Sequence, residues 1–375
     1  MASRTSAVTR CELPALLLFL TLACRVTTES GGQRERLVVP GTEVAAALVV
    51  DLERGAVARR VGPPLAQAGS VAMRGEDTLV AVGQLTSGEW MLLGLDLRRG
   101  SEAWRVRVGD PAITVDGVML GREVLAVDPL QSLVYLWQSM REGAPGIAAY
   151  DYRLGRIIAF HGPVAVRVRA MTVVPGTQSC LVIAGDAGAG ASARSVLYFV
   201  CGGKNFSERD SLVFRAPSTL MEDLQWLPGG DLVLASSNGE LLRVAVSSRT
   251  VVARVPRPIS GLVVVSPFDG RIFVADRGSS TTASSGVIAV LSPALELSAI
   301  IDLHVLASDL RPLGLYGGVV GGGGDLLYLV GGVPRTGPLY GPQQTHVLLL
   351  DLATGRATDV IRLGTLGGGQ PFLLR

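Results

Sequence analysis

The chain carries a single lysine, Lys204, and three widely separated histidines, His161, His304 and His346. Charged residues make up only 18% of it, the net charge is +2, and the basic residues are scattered, which excludes a nucleic-acid patch. None of the histidines has a second ligand at metal spacing, so no metal site is expected. No G-x-S-x-G elbow occurs, no Ser, Cys or Lys stands in a recognisable nucleophile setting, and no paired carboxylates share a loop. The glycine run GGVVGGGGD, 317 to 325, lacks the Lys-Ser/Thr of a phosphate loop. GDAGAG at Gly185 is followed by another strand pattern rather than the helix that a dinucleotide fingerprint requires. No stretch sustains helical periodicity, and beyond the N-terminus none is apolar for 18 residues. No catalytic residue, cofactor or metal is therefore assigned.

What is present starts with a targeting pattern. Arg4 and Arg10 precede the apolar run Ala15 to Ala23, too short to span a bilayer, and Cys24 follows at once. The run resembles a bacterial lipoprotein signal, with Ala23 fitting the pattern and Thr21 standing where leucine is preferred. The resemblance implies that residues 1–23 are removed and that Cys24 is the lipidated mature N-terminus. Cleaved soluble export and an uncleaved anchor are the alternatives. Residues 24–36, polar and Gly-containing, are expected to be a flexible tether. Localisation is then periplasmic or at the cell surface, with the lipid as the membrane attachment. Cys180 and Cys201 remain as an even pair. Both lie in apolar strands joined by DAGAGASAR, and in a hairpin centred between Gly190 and Ala191 they face each other. A cross-strand disulfide is expected, with two buried thiols as the alternative.

From residue 37 to 375 the pattern is repetitive. A strand ending in Asp, then a hydrophobe, two mostly polar residues and Gly, recurs at Asp51, Asp96, Asp151 and Asp351. The spacings of 45, 55 and 200 leave room for three worn copies, near Gly202, Ser247 and Pro293. A second turn phrase runs in step at Asp77, Arg122, Thr177, Gly230, Gly270 and Gly324. Two tight turns per unit of about 50 residues make four short strands, the pattern of a propeller blade. Asp accepts backbone N–H bonds at such corners and Gly takes the left-handed conformation, so these aspartates read as hairpin corners. The expected fold is all-β: a seven-bladed β-propeller of four-stranded blades. Its N-terminal blade lacks an inner strand, and a spare C-terminal strand, Pro371 to Leu374, closes the ring.

The blade GGGGDLLYLVGG…THVLLLDLATGRATDVIRLG resembles the YVTN-type repeat of bacterial seven-bladed propellers, a group within the WD40-like and quinoprotein-like superfamily. The turns Asp351 to Gly355 and Gly322 to Asp325 carry the match, and residues 267 to 270 resemble the family's Pro-Asp-Gly turn. WD40 repeats fit less well for want of a Gly-His…Trp-Asp pair, and the regular tryptophans of quinoprotein repeats are missing. The long second-to-third-strand connections hold Trp137, Arg141, Arg277, Arg335 and Tyr340, residue types enriched at interface anchors. These are the candidate binding-face residues. The expected function is a protein- or peptide-binding scaffold of the cell envelope, working as a monomeric ring. One alternative is a propeller enzyme, lactonase-like or using a quinone cofactor as a dehydrogenase, with its site at the central channel. The other is a structural subunit of an envelope complex.

Overall fold

The computed structural model describes residues 35–42, 44–109, 125–139, 145–161, 166–174, 180–187, 194–201, 208–217, 221–236, 239–256, 261–276, 286–303, 314–334, 343–366 and 371–374. The chain divides into Met1–Gln33, outside those residues, and Arg34–Arg375. The second unit is a ring of seven four-stranded antiparallel sheets.

The first blade takes β1 (Arg36–Thr42), β2 (Ala45–Asp51) and β3 (Ala56–Val61), and the second takes β4 (Gln67–Arg74), β5 (Thr78–Gln84), β6 (Trp90–Asp96) and β7 (Ser101–Arg107). The third holds β8 (Leu125–Asp128), β9 (Leu133–Ser139), β10 (Pro145–Asp151) and β11 (Arg156–His161). The fourth holds β12 (Val166–Val173), β13 (Leu181–Ala187), β14 (Arg194–Cys201) and β15 (Glu208–Pro217). The fifth holds β16 (Met221–Trp226), β17 (Asp231–Ser236), β18 (Glu240–Ala245) and β19 (Thr250–Pro256). The sixth holds β20 (Gly261–Val265), β21 (Ile272–Asp276), β22 (Val287–Leu291) and β23 (Leu297–Asp302). The seventh holds β24 (Gly314–Gly321), β25 (Leu326–Pro334), β26 (Gln343–Asp351) and β27 (Arg356–Leu366). Last comes β28 (Phe372–Leu374), the inner strand of the first blade, paired antiparallel with β1 from Arg36↔Leu374 to Val38↔Phe372.

The repeated Asp-to-Gly phrase is the outer hairpin corner of the first, second, third and seventh blades. The Asp351 carboxylate accepts the N–H groups of Ala353 and Thr354, both at 2.9 Å, and Asp151 accepts those of Arg153 and Leu154 at 2.8 and 3.0 Å. These bonds favour the ionised form, so the Asp351 carboxyl titrates below the usual aspartate range, the Thr354 N–H being the largest cause. Gly55, Gly100, Gly155 and Gly355 all take φ between 60° and 72° at the fourth position after the aspartate. The worn copies keep this backbone without the glycine. Arg249 and Leu295 adopt φ of 54° and 68°, so the geometry persists where the sequence phrase does not. The corner near Gly202 lies outside the described residues.

One inner turn differs from the expectation. Arg122 does not mark the inner turn of the third blade, because the strand after it, β8, is the inner strand itself. That turn is Asp128 to Ser132, where the Asp128 carboxylate accepts the N–H groups of Leu130 and Gln131 at 3.0 and 3.1 Å. Ser132 takes the left-handed conformation with φ 62°. A serine in the place of glycine hid the phrase. The N-terminal boundary also moves slightly: β1 opens at Arg36, one residue ahead of Leu37.

Buried side chains gather between blades rather than at one centre. Leu348, Leu350 and Leu327 meet Leu262, Phe273 and Ile301 across the sixth and seventh blades. Tyr328, Val347 and Ile361 meet Leu37, Leu48 and Val50 across the seventh and first. Each blade therefore buries both of its faces, and a central strand such as β2 is buried at every position.

Candidate functional site

The antiparallel order gives the ring two unlike faces. The inner and outer tight turns share one face; the second-to-third connections and those between blades share the other. The strand ends on the second face are joined by the four longest connections, residues 108–124, 277–286, 303–313 and 335–342, and by residues 140–144 and 188–193; residues 174–180 and 202–207 join strand ends on the tight-turn face. Four of the five candidate anchors, Arg141, Arg277, Arg335 and Tyr340, fall on such connections and lie outside the described residues.

Trp137 is a correction. It sits within β9, paired with Ile147, and is only 3% exposed, in the hydrophobic cluster that also holds Ile147 and Tyr135. The shifted inner turn of the third blade moves β9 toward the loop-rich face and carries Trp137 into the core. It is therefore a packing residue, not a loop anchor.

The tight-turn face is stitched from blade to blade. Arg59 of β3 donates to the carbonyl oxygens of Leu97 and Arg98 in the second blade, the first at 3.0 Å. The Arg74 guanidinium lies 4.1 Å from the ring centre of Tyr152, which stacks on Trp104 at 5.9 Å. Gly94 makes room for that indole, since a Cβ there would lie 2.1 Å from a Trp104 ring carbon. Arg243 binds Asp231 of its own blade and the Pro293 carbonyl of the next at 3.1 Å. Arg271 reaches the Gly324 carbonyl at 2.9 Å. Glu35, just before β1, accepts Gly322 N–H at 3.1 Å and the Tyr328 hydroxyl at 3.0 Å. Glu35 belongs to the ring rather than to a tether. Its partners are 287 and 293 residues away in sequence, so no local signal could have marked it.

Buried polar side chains also line the opposite ends of the strands. Gln138 accepts the Tyr150 hydroxyl at 2.8 Å and Gly109 N–H at 3.2 Å, tying the third blade to the segment leaving the second. His346 pairs across strands with Gly331 and Arg362, and its Nδ1 is buried without a hydrogen-bond partner. Burial first, and the Arg362 charge second, hold it below the usual histidine range. Ser195 Oγ, in another blade, is likewise buried and unpartnered. His161, Ser195 and His346 stand in the third, fourth and seventh blades and form no nucleophile–base pair. Among the described residues no group of three or more His, Cys, Asp or Glu is placed to hold a metal ion. The inner strands β20, β24 and β28 contain no charged residue.

Cys180 and Cys201 face each other in the fourth blade. The register runs from Leu181↔Val200 to Ala187↔Arg194, which places the two cysteines opposite at the tight-turn end. Their sulfurs are bonded at 1.98 Å, with Cα atoms 4.0 Å apart.

No family model matches the chain, and no curated protein matches it significantly. Among solved structures it is similar to the β-propeller domain of Myceliophteria thermophila Cps50 (Swd1), with a TM-score of 0.52 and 12% identity. The match covers 78% of this chain and 85% of that chain. At this identity the likeness is one of fold.

Three phenols report on the packing. Burial pushes the Tyr150 hydroxyl up to about 12, and raises those of Tyr135 and Tyr328 further, Tyr328 also through the Glu35 charge. Each holds its proton more tightly folded than unfolded. Their contribution is complete below about pH 10, the ordinary tyrosine value, and is lost as pH rises above it. In an ultraviolet titration these three of the seven tyrosines should ionise only as the ring unfolds. All seven titrating together with the fold intact would contradict this.

Proposed function

We propose that this chain is an exported, YVTN-type propeller that binds a protein or peptide partner on its loop-rich face and acts as a monomeric scaffold in the cell envelope. On this reading residues 1–23 are the signal, Cys24 carries the lipid, and the segment before Glu35 tethers the ring to the membrane. The observation that supports the reading most is the asymmetry of the ring. One face carries most of the tight Asp-cornered turns and the blade-to-blade bonds, while the four longest connections, residues 108–124, 277–286, 303–313 and 335–342, each with an Arg, leave from the other. A rigid ring carrying adaptable loops presents a broad surface at low ordering cost.

Photo-crosslinking residues placed at Arg277, Arg335 and Tyr340, with Arg153 and Phe268 on the tight-turn face as controls, test it in intact cells. One partner crosslinked from the three loop positions and not from the controls is expected. Crosslinks confined to the control face, or none from any loop position, would overturn the assignment of the binding face. In the same cells Cys24→Ser should release the chain from the membrane fraction.

A further inference from the structure

The third blade departs from its neighbours at its tight-turn end. Three residues after the corner aspartate, the first, second and seventh blades carry Arg54, Arg99 and Thr354, and the third carries Leu154. Leu154 is 58% exposed. On the inner turn of the same blade Leu130 is 75% exposed, the highest value among the described large apolar side chains. The two turns are neighbours. Asp128 and Asp151 both pair with Leu133, and Tyr152 N–H donates to the Ser132 carbonyl at 3.2 Å. Each tip is held by its aspartate: Leu130 N–H donates to Asp128, and Leu154 N–H to Asp151, both at 3.0 Å. A single exposed leucine is ordinary, but two on adjacent fixed tips form one apolar wedge.

The chain enters the ring at this same face. Arg36, the first residue of β1, pairs with the corner Asp51, and Glu35 before it is fastened to Gly322. The eleven residues from Cys24 to Arg34 reach at most roughly 40 Å when fully extended. A seven-residue strand such as β2 sets the two faces about 23 Å apart. A lipid at Cys24 therefore holds the tight-turn face toward the bilayer, and turning the loop-rich face to it would consume most of that reach. Charges at this end are matched locally: Arg54 pairs with Asp51, Arg98 with Glu76 and Asp77, and Arg99 with Asp96. The leucines, rather than a pull on anionic headgroups, are what this surface offers a membrane.

We propose that the tight-turn end of the third blade is a membrane contact, with Leu130 and Leu154 inserted at the headgroup–acyl boundary of a phospholipid bilayer. The proposal rests on the attachment at Cys24 in the reading above. Two leucines bury too little apolar surface to hold a soluble ring on a bilayer by themselves. An anchor that already keeps the ring at the surface raises their effective concentration there, so they set its orientation. The loop-rich face then points away from the membrane. A second copy of this chain fits less well, because two such wedges meeting would bury far less than the area a stable interface needs.

The test couples the mature chain through Cys24, its only cysteine outside the Cys180–Cys201 bridge, to maleimide-bearing lipid in phosphatidylcholine vesicles. A fluorescent amino acid is placed at Arg153, or at exposed Ser87 on the β5–β6 connection of the loop-rich face, and quenched by lipid carrying a nitroxide near its headgroup. Quenching at Arg153 should exceed that at Ser87 by at least about threefold. In the Leu130→Asp, Leu154→Asp double variant this excess should fall at least about twofold, with thermal unfolding in place because both side chains are exposed. Equal quenching at the two positions in wild type, or an excess unchanged in the double variant, would overturn the inference. A concentration-dependent dimer without vesicles, lost in the double variant, would assign the leucines to a second copy and overturn it too. The coupled lipid replaces the native one, so a chain found without lipid in cells would overturn the anchor alone, and these readings would still decide the contact.

Discussion

Removing Gly369 to Arg375 is expected to open the ring and destabilise the whole domain, by about 4 kcal/mol or more. The deleted segment contains β28, which supplies the inner strand of the first blade. Its Leu374 is 5% exposed and packs in the slab between the first and second blades, and Leu373 packs between the seventh and first. Without β28, β1 loses backbone partners along Arg36 to Val38, and two hydrophobic slabs meet water at once. Truncation therefore acts on the seam rather than on a frayed end. Leu374→Ala should show the same effect in part, at about 3 kcal/mol, with the chain otherwise complete. Denaturant unfolding of the three proteins checks both, and an unchanged midpoint after truncation would overturn closure by β28. The Glu35 bonds to Gly322 and Tyr328 cross the same seam on the tight-turn face, so they should not rescue the inner strand.

Breaking the Cys180–Cys201 bridge is expected to cost roughly 3 kcal/mol, through the freedom it restores to the unfolded chain. The bridge spans a sequence separation of 21, within one hairpin whose strands are already paired from Leu181 to Ala187. In the folded state the bridge adds little to that pairing, so its effect falls on the unfolded ensemble. Denaturant curves with and without reductant should differ by about this amount, and a Cys180→Ser, Cys201→Ser double variant should match the reduced protein. Thiol titration of the denatured, unreduced mature chain should find neither cysteine free. Two free thiols there, or superimposable curves, would overturn the expectation.

The legibility of the fold followed its chemistry. Where Asp and Gly both remain, as at Asp351 and Gly355, the corner was readable, because a carboxylate acceptor and a left-handed residue are local requirements. Where only the backbone remains, as at Arg249 and Leu295, spacing alone pointed to it. In the third blade a left-handed Ser132 defeated the phrase, and the resulting slip misplaced Trp137 on a loop. The candidate face was legible as a set of long connections, since strand order alternates the two ends of every blade. The residues that bind blade to blade, Arg59, Arg243, Arg271 and Glu35, were not, because their partners lie tens to hundreds of residues away.

The sequence by itself determined the all-β class, the number of blades, the outer corners and the pairing of the last strand with the first blade. All of these follow from short-range turn chemistry repeated at a fixed interval, which needs no knowledge of what packs against what. Only the tertiary structure decided which side chains are core, which bonds join one blade to the next, and which polar groups are left without partners. Those properties belong to neighbouring blades. A residue such as Trp137 or Leu374 has the same local sequence character whether a second sheet covers it or water does, and its burial is settled when the ring closes.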